Sequence, residues 1–200
     1  MGDNALVGLS DPHDTAAYDA ALPSTTVGPL SPLSGPLEVR DYDPAWPGAY
    51  AREADRVKAA LGDRVLILEH VGSTSVPGLP AKPIIDMVLE VADSSDEAAY
   101  VPDLETAGYA LRIREPSWYE HRMLRDPDRS VHLHVFSADC PETRRMILFR
   151  DHLRASAADR DRYAATKRDL AAREWKYMQQ YADAKSDVVA EIMARATRTA

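Results

Sequence analysis

The chain has 200 residues, 45% hydrophobic and 28% charged, with a formal net charge of −8; this suits one globular domain with a substantial core and does not require two. No stretch is long and apolar enough to span a membrane, and the N-terminus lacks the basic region and apolar run of a secretory signal, so a cytoplasmic protein is expected. The acidic balance weighs against nucleic acid as the main partner, because neutralising phosphates needs a basic surface, and the single cysteine, Cys140, leaves no internal disulfide.

Residues 1–36 hold five prolines and no sustained apolar period. Ordering them gains little burial to offset the lost entropy, so a flexible N-terminal tail is expected, with the domain proper over 37–200. Residues 37–40 alternate like a short strand. Asp43 followed by Pro44 predicts a helix start, and Gly62 predicts its end just after Leu61. Residues 65–71 and 84–91 are β-branched and aliphatic runs, predicted as strands. The segment between them is rich in glycine, proline and hydroxyls. A helix over 95–107 is expected to stop at Gly108. Strands follow over 109–114, 118–125 and 131–136, the last two forming a hairpin around Asp126-Pro127-Asp128-Arg129. Helices are predicted over 141–156, over 159–182 and from 186 onward. This order predicts an α/β (α+β) fold, a mixed sheet packed by helices, with C-terminal helices.

The chemistry concentrates around Asp86. On the strand over 84–91, Ile85, Met87, Leu89 and Val91 share one face, while Asp86 and Glu90 share the other with Ile84 and Val88. A carboxylate inside so apolar a run is costly to bury unless paired or bound to a cation. A Gly-Ser turn directly after a strand brings backbone N–H groups and a hydroxyl close to a phosphate. The residues therefore fit a phosphate at Gly72, Ser73, Thr74 and Ser75 with a divalent metal at Asp86; they fit equally a tight turn with Asp86 paired to an arginine. His132 and His134 alternate with Val131, Leu133 and Val135, so both imidazoles lie on one face, able to ligate a metal or simply exposed. Glu120 is either a further carboxylate ligand or a cross-strand partner of Arg122. Lys167 falls on the apolar stripe of its helix, and either snorkels outward or reaches a phosphate or Asp86. Arg150 and Arg154, four apart, form either a phosphate clamp or surface pairs with Asp151 and Asp159. Lys82 precedes the Asp86 strand and is placed to contact an anion. Residues 141–200 carry 13 Lys or Arg against 9 Asp or Glu, so a basic C-terminal part faces an acidic middle.

The run from Glu69-His70-Val71-Gly72-Ser73 through Lys82-Pro83-Ile84-Ile85-Asp86 resembles the signature of the GrpB family. His132-Leu133-His134-Val135-Phe136, Leu148 to Arg154, and Tyr163 to Lys167 extend the resemblance over residues 37–185. The family is grouped with the polymerase-beta-like nucleotidyltransferases, which place a Gly-Ser turn before a strand carrying Asp-x-Asp or Asp-x-Glu. The resemblance implies a transferase that moves a nucleotidyl group from a nucleoside triphosphate to a small acceptor with Mg²⁺ or Mn²⁺. Asp86, His134 and Lys167 would be its catalytic residues, and Asp86, Glu120, His132 and His134 would hold the metal. Phosphates would fall to Gly72, Ser73, Thr74, Ser75, Lys82, Arg150 and Arg154. The sequence departs from the pattern at Val88, where the second carboxylate belongs; Glu90 lies roughly 13 Å along the strand from Asp86, too far to replace it in a two-ion site with ions about 3.5–4 Å apart. Domains of this family are also fused to dephospho-CoA kinases, which implies a non-catalytic nucleotide-binding or chaperone-like module as the alternative. If the strands share a sheet, Asp86 and His134 should approach within roughly 8 Å.

Overall fold

The computed structural model describes residue 9 and residues 11–199. Among these, five strands form one mixed sheet: β1 (Ile67–Val71), β2 (Ile85–Val91), β3 (Ala110–Glu115), β4 (His121–Arg125) and β5 (Val131–Ser137), in the order β1-β2-β5-β4-β3. The central pair β2–β5 is parallel and every other pair antiparallel. Seven helices surround it: α1 (Thr15–Thr25), α2 (Trp46–Leu61), α3 (Val101–Thr106), α4 (Pro141–Ala155), α5 (Ala157–Ala171), α6 (Met178–Asp183) and α7 (Ser186–Thr199). The fold is thus of the α+β class expected from the alternation of patterns.

Two faces of the sheet are covered differently. Ile85, Met87, Leu89 and Val91 join Val131, Leu133 and Val135 in a core against Ala54, Val57 and Leu61 of α2 and Leu104 of α3. The opposite face holds Val71, Val88, Phe136 and Cys140 with Met146 and Ile147 of α4. Glu90 on this face is buried, and its carboxylate accepts from the N–H groups of Asp139 and Cys140 (3.1 and 3.2 Å), fixing the turn into α4. A third cluster ties the loop residues Val76 and Leu79 to Leu153, Tyr163, Val188 and Ile192. The C-terminal helices therefore roof the end of β2 that carries Asp86.

Several boundaries differ from expectation. Residues 1–8 and 10 of the expected tail lie outside the described residues. The remainder is packed on the domain: Tyr18 is fully buried with Leu22 against Tyr177. The Tyr18 hydroxyl donates to Asp183 (2.6 Å), and Leu33 N–H to Lys176 O (2.8 Å). Two buried side chains and side-chain bonds to distant partners anchor a segment with no apolar period of its own. Residues 37–40 make a single bridge, Arg40 with Ala81, and no strand. Asp43 does accept a backbone N–H, from Ala45 (2.8 Å), one turn ahead of α2. The expected helix over 95–107 is a tight turn at Glu97–Ala99 and then α3, with Glu97 drawn onto Arg114 and Arg122. The expected helix over 159–182 breaks after Ala171: the Trp175 indole donates to Leu170 O (2.7 Å), and Gln180 accepts from the N–H groups of Lys176 and Tyr177, so side chains cap both ends of the break.

Candidate functional site

In the parallel register Asp86 stands opposite His132 and Val88 opposite His134. Asp86, His132 and His134 each offer one ligand atom, and these lie within 4.8 Å of one another. The sheet thus brings together three of the residues singled out in the sequence, and closer than the expected approach of Asp86 to His134. His132 Nδ1 is 3.3 Å from Asp86 Oδ1. Burial pushes the Asp86 carboxyl up, but the His132 hydrogen bond, the neighbouring imidazoles of His132 and His134 and the Lys82 charge outweigh it and hold the group below the ordinary carboxylate range.

Behind His134 runs a buried chain that the sequence did not disclose. His121 Nε2 lies 3.0 Å from His134 Nδ1, and His121 Nδ1 lies 2.6 Å from Glu115 Oε2. Burial pushes the imidazoles of His121 and His134 down to about 3 and the Glu115 carboxyl up to about 7. The links are therefore hydrogen bonds between uncharged imidazoles. With Nδ1 engaged by His121, Nε2 is the nitrogen His134 has left for a ligand. This is the arrangement by which a second layer of partners fixes a ligating imidazole's tautomer and ring orientation.

Gly72 adopts φ +68, and a Cβ at that position would run into the Asp86 carboxylate. Its glycine is required as much by Asp86 as by any phosphate. Thr74 and Ser75, expected to meet phosphate, are buried and spend their hydroxyls inside the loop, on Ile84 O (3.0 Å) and Gly72 O (2.6 Å). Thr74 also meets His70 Nε2 (3.0 Å). Ser73 faces the Tyr163 hydroxyl. Arg150 is buried and bonded to Asp151, Glu69 and His70 O, while Arg154 donates to Ser75 O (2.9 and 3.1 Å). Both staple α4 to the loop and to β1, and their donors do not converge on Asp86. Glu120 has φ +52, is half exposed, sits 3.8 Å from Arg122 and stands outside the Asp86 group.

Lys167 does not snorkel: it is buried, donates to Pro80 O and lies over the Tyr163 ring (4.8 Å). Lys82 and Lys185 both lie over the ring of Tyr181, at 5.1 and 4.6 Å. Burial, opposed by Asp86, pushes Lys82 down to about 8; burial and the Lys82 charge push Lys185 down to about 7. Burial, with Lys185 next, drives Lys167 well below its ordinary value. Sequence reading had passed over Lys185; its available signal was a lysine directly before a helix start, where the macrodipole disfavours a cation. A cavity of about 350 Å³ opens between α4, α7 and the β3–β4 connection, walled by Trp118, Tyr119, Glu142 and Arg145. The Trp118 ring is 5.1 Å from that of His121.

Two imidazoles and one carboxylate make a donor set that fits a divalent transition metal, whereas Mg²⁺ prefers oxygen ligands throughout. Among the described residues no helix is long and apolar enough to cross a membrane.

Comparison with known proteins agrees with this architecture. The crystal structure of conserved protein GrpB from Enterococcus faecalis superposes with a TM-score of 0.72 at 32% identity, covering 81% of this chain and 98% of that one. A UPF0157 protein of Halalkalibacterium halodurans is 54% identical over 187 residues, 94% of this chain and 96% of that protein. A dephospho-CoA kinase of Mycobacterium tuberculosis is 31% identical over 176 residues, spanning 75% of this chain but only 43% of the kinase. The family described as GrpB protein matches residues 36–195, and with the site-bearing strands, the loop, α4, α5 and most of α7 inside that span, the chain belongs to the GrpB family.

Proposed function

We propose that the protein is a nucleotidyltransferase that binds a nucleoside triphosphate with a divalent cation and passes the nucleotidyl group to a small acceptor. The observation that carries this is the convergence of Asp86, His132 and His134 within 4.8 Å, directly beside the Gly72–Ser73 turn. Asp86, His132 and His134 would hold Mn²⁺, which when bound would neutralise charge on the phosphates. Asp86 stays ionised at neutral pH, and His134 stays neutral with Nε2 directed by its bond to His121. The Ser73 turn positions the phosphate, and the lysines beside it stabilise charge on the pyrophosphate that leaves as the acceptor oxygen bonds to the α-phosphorus. The cavity walled by Trp118, one ring away from His121, gives room for a small acceptor.

Val88 is fully buried and packs with Phe136 and Cys140, so the site offers a single strand carboxylate. That, with the similarity to under half of a dephospho-CoA kinase, favours a second reading: a nucleotide-binding accessory module without turnover. Calorimetric titration of nucleoside triphosphate with Mn²⁺ or Mg²⁺ into wild type and Asp86→Asn tests the binding. Metal-dependent binding lost in the variant, with an unchanged melting temperature, is expected; equal binding in both proteins would refute the assignment. Pyrophosphate release on adding small hydroxylated or aminated acceptors separates the enzyme from the module.

A further inference from the structure

Lysine is almost never buried unless paired, yet three lysines are withdrawn from solvent in one region of this protein. Lys167 and Lys185 are 3% and 7% exposed, and Lys82 is partly buried. Lys82 and Lys185 share one aromatic ring, and Lys167 sits over another, that of Tyr163, whose hydroxyl faces Ser73. Lys167 gives one hydrogen bond, to Pro80 O, and Lys82 contacts the Met178 sulfur. The Lys185 ammonium lies over the Tyr181 ring and is acted on by Lys82, Asp86 and Asp183. Lys185 also stands directly before Ser186, the first residue of α7, where the helix dipole opposes a cation.

Each of these features costs stability in the free protein. The three ammoniums would repel one another if all were charged: Lys82 and Lys185 both act to deprotonate Lys167, and Lys82 acts on Lys185. The carboxylates that act on them in the opposite sense are Asp86, which belongs to the metal cluster, and Asp183, whose oxygens already accept from Tyr18 and Gln179. A ligand with several negative charges would supply what the protein does not.

We propose that Lys82, Lys167 and Lys185, floored by Tyr163 and Tyr181, form a receptor for a phosphoanhydride chain. The proposal deepens the nucleotidyltransferase reading and rests on it for the source of that chain, the β- and γ-phosphates of the nucleotide. A carboxylate is too short to engage ammoniums distributed over two rings. A di- or triphosphate presents oxygens along its length, and lysine binds phosphate as a point charge without needing a planar match. The site adjoins Ser73 through Tyr163 and Asp86 through the loop that carries Lys82, so one end of the chain would lie at the metal cluster and the other at Lys185.

The test is calorimetric titration of inorganic tripolyphosphate, pyrophosphate and a nucleoside monophosphate at pH 7 in EDTA, with wild type, Lys185→Met and Lys82→Met. Tripolyphosphate is expected to bind wild type, to bind Lys185→Met at least tenfold more weakly, and to outcompete the monophosphate. The free Lys185→Met protein is expected to melt no lower than wild type, since burial and the Lys82 charge both disfavour the ammonium that is removed. Failure of tripolyphosphate to bind wild type, or binding to both lysine variants as tight as to wild type, overturns the proposal. If Lys185→Met melts lower and binds unchanged, Lys185 is structural and the proposal is likewise overturned. Tripolyphosphate binding through Lys185 without any binding of nucleoside triphosphate and metal would keep the anion site and remove the nucleotidyltransferase reading. Metal-dependent nucleotide binding untouched by Lys185→Met would do the reverse.

Discussion

Glu115→Gln isolates the buried chain behind His134. The amide keeps the size and shape of the carboxyl and can still hydrogen-bond His121, so the packing around residues 3% exposed is preserved. What it removes is the negative charge that enforces the direction of the chain, since an amide can either accept from or donate to His121. For His134 to present a lone pair at Nε2, its Nδ1 must donate to His121 Nε2, and His121 Nδ1–H must donate to an anionic Glu115. Removing such an outer partner weakens metal binding about 10–100-fold, about 1.4–2.7 kcal/mol. His121 intervenes between Glu115 and the ligand, which places the expected loss near the lower end, about tenfold for Mn²⁺. The pH dependence follows from the same chain. Glu115 is pushed up to about 7 by burial; below that pH it is protonated and donates to His121, His121 then donates to His134 Nδ1, and the His134 proton sits on Nε2, where it blocks a ligand. Wild-type Mn²⁺ affinity is therefore expected to fall by up to about tenfold per pH unit below 7, one proton competing with one ion. Glu115→Gln should show a weak, flat profile. Free Mn²⁺ measured by electron paramagnetic resonance at pH 6 to 8 reads both quantities. A variant that binds Mn²⁺ as wild type does and keeps the pH slope would refute the relay; a collapse of the melting temperature would make Glu115 a structural residue instead.

Gly72→Ala should lose about 1–3 kcal/mol from backbone strain at φ +68 and more from the clash with Asp86; in an Asp86→Ala background the loss should shrink, and additive losses in chemical denaturation would refute the contact. Val88→Asp should lose about 3–5 kcal/mol, because the position is sealed by Phe136 and Cys140, and it should not raise turnover; a stable, more active variant would show that a second carboxylate can be accommodated. His70, held by burial at about 4, stays neutral in the fold while the unfolded chain takes up a proton below about 6.5. Stability should thus fall by about 1.4 kcal/mol per pH unit between those values, and His70→Gln should reduce the slope by one proton in a pH series of denaturation curves. Deleting residues 1–36 exposes the partners of Tyr18 and Leu22, each worth about 1.5–3 kcal/mol, and should lower the melting temperature by roughly 5–10 °C; a change under about 2 °C would show that the arm's packing contributes nothing.

Much of the framework could be read from local pattern. The alternation along β2 separates Ile85, Met87, Leu89 and Val91 from Asp86, and the same period in β5 places His132 beside His134. Once the strands are neighbours, period two forces these groups onto a common face. What escaped has no local period. Tyr18 is buried by Tyr177, 159 residues later in the chain. Lys185 and Tyr181 meet Lys82 only because α5 breaks, and residues 171–174, Ala-Ala-Arg-Glu, are good helix formers. The break is set by Trp175 and Gln180 caps, interactions of side chains with backbone that propensity does not register. Glu115 lies just beyond the strand expected over 109–114, and its burial depends on His121 across the β3–β4 ladder.

The N-terminal arm also imposes an order on synthesis. α1 precedes the other described helices in the chain, yet Tyr18, Asp19 and Pro12 are held by Asp183, Lys176, Tyr177 and Gln180, 157 to 168 residues downstream. While the sheet is assembling, only the end of the arm finds a partner, Thr26 and Val27 meeting Ile113 and Arg112 of β3, and a short helix whose buried face is still uncovered does not persist in water. It can close only after α6 has emerged, on the segment that carries Tyr181. The helix that precedes the sheet in the chain is thus completed only by the helix that follows it.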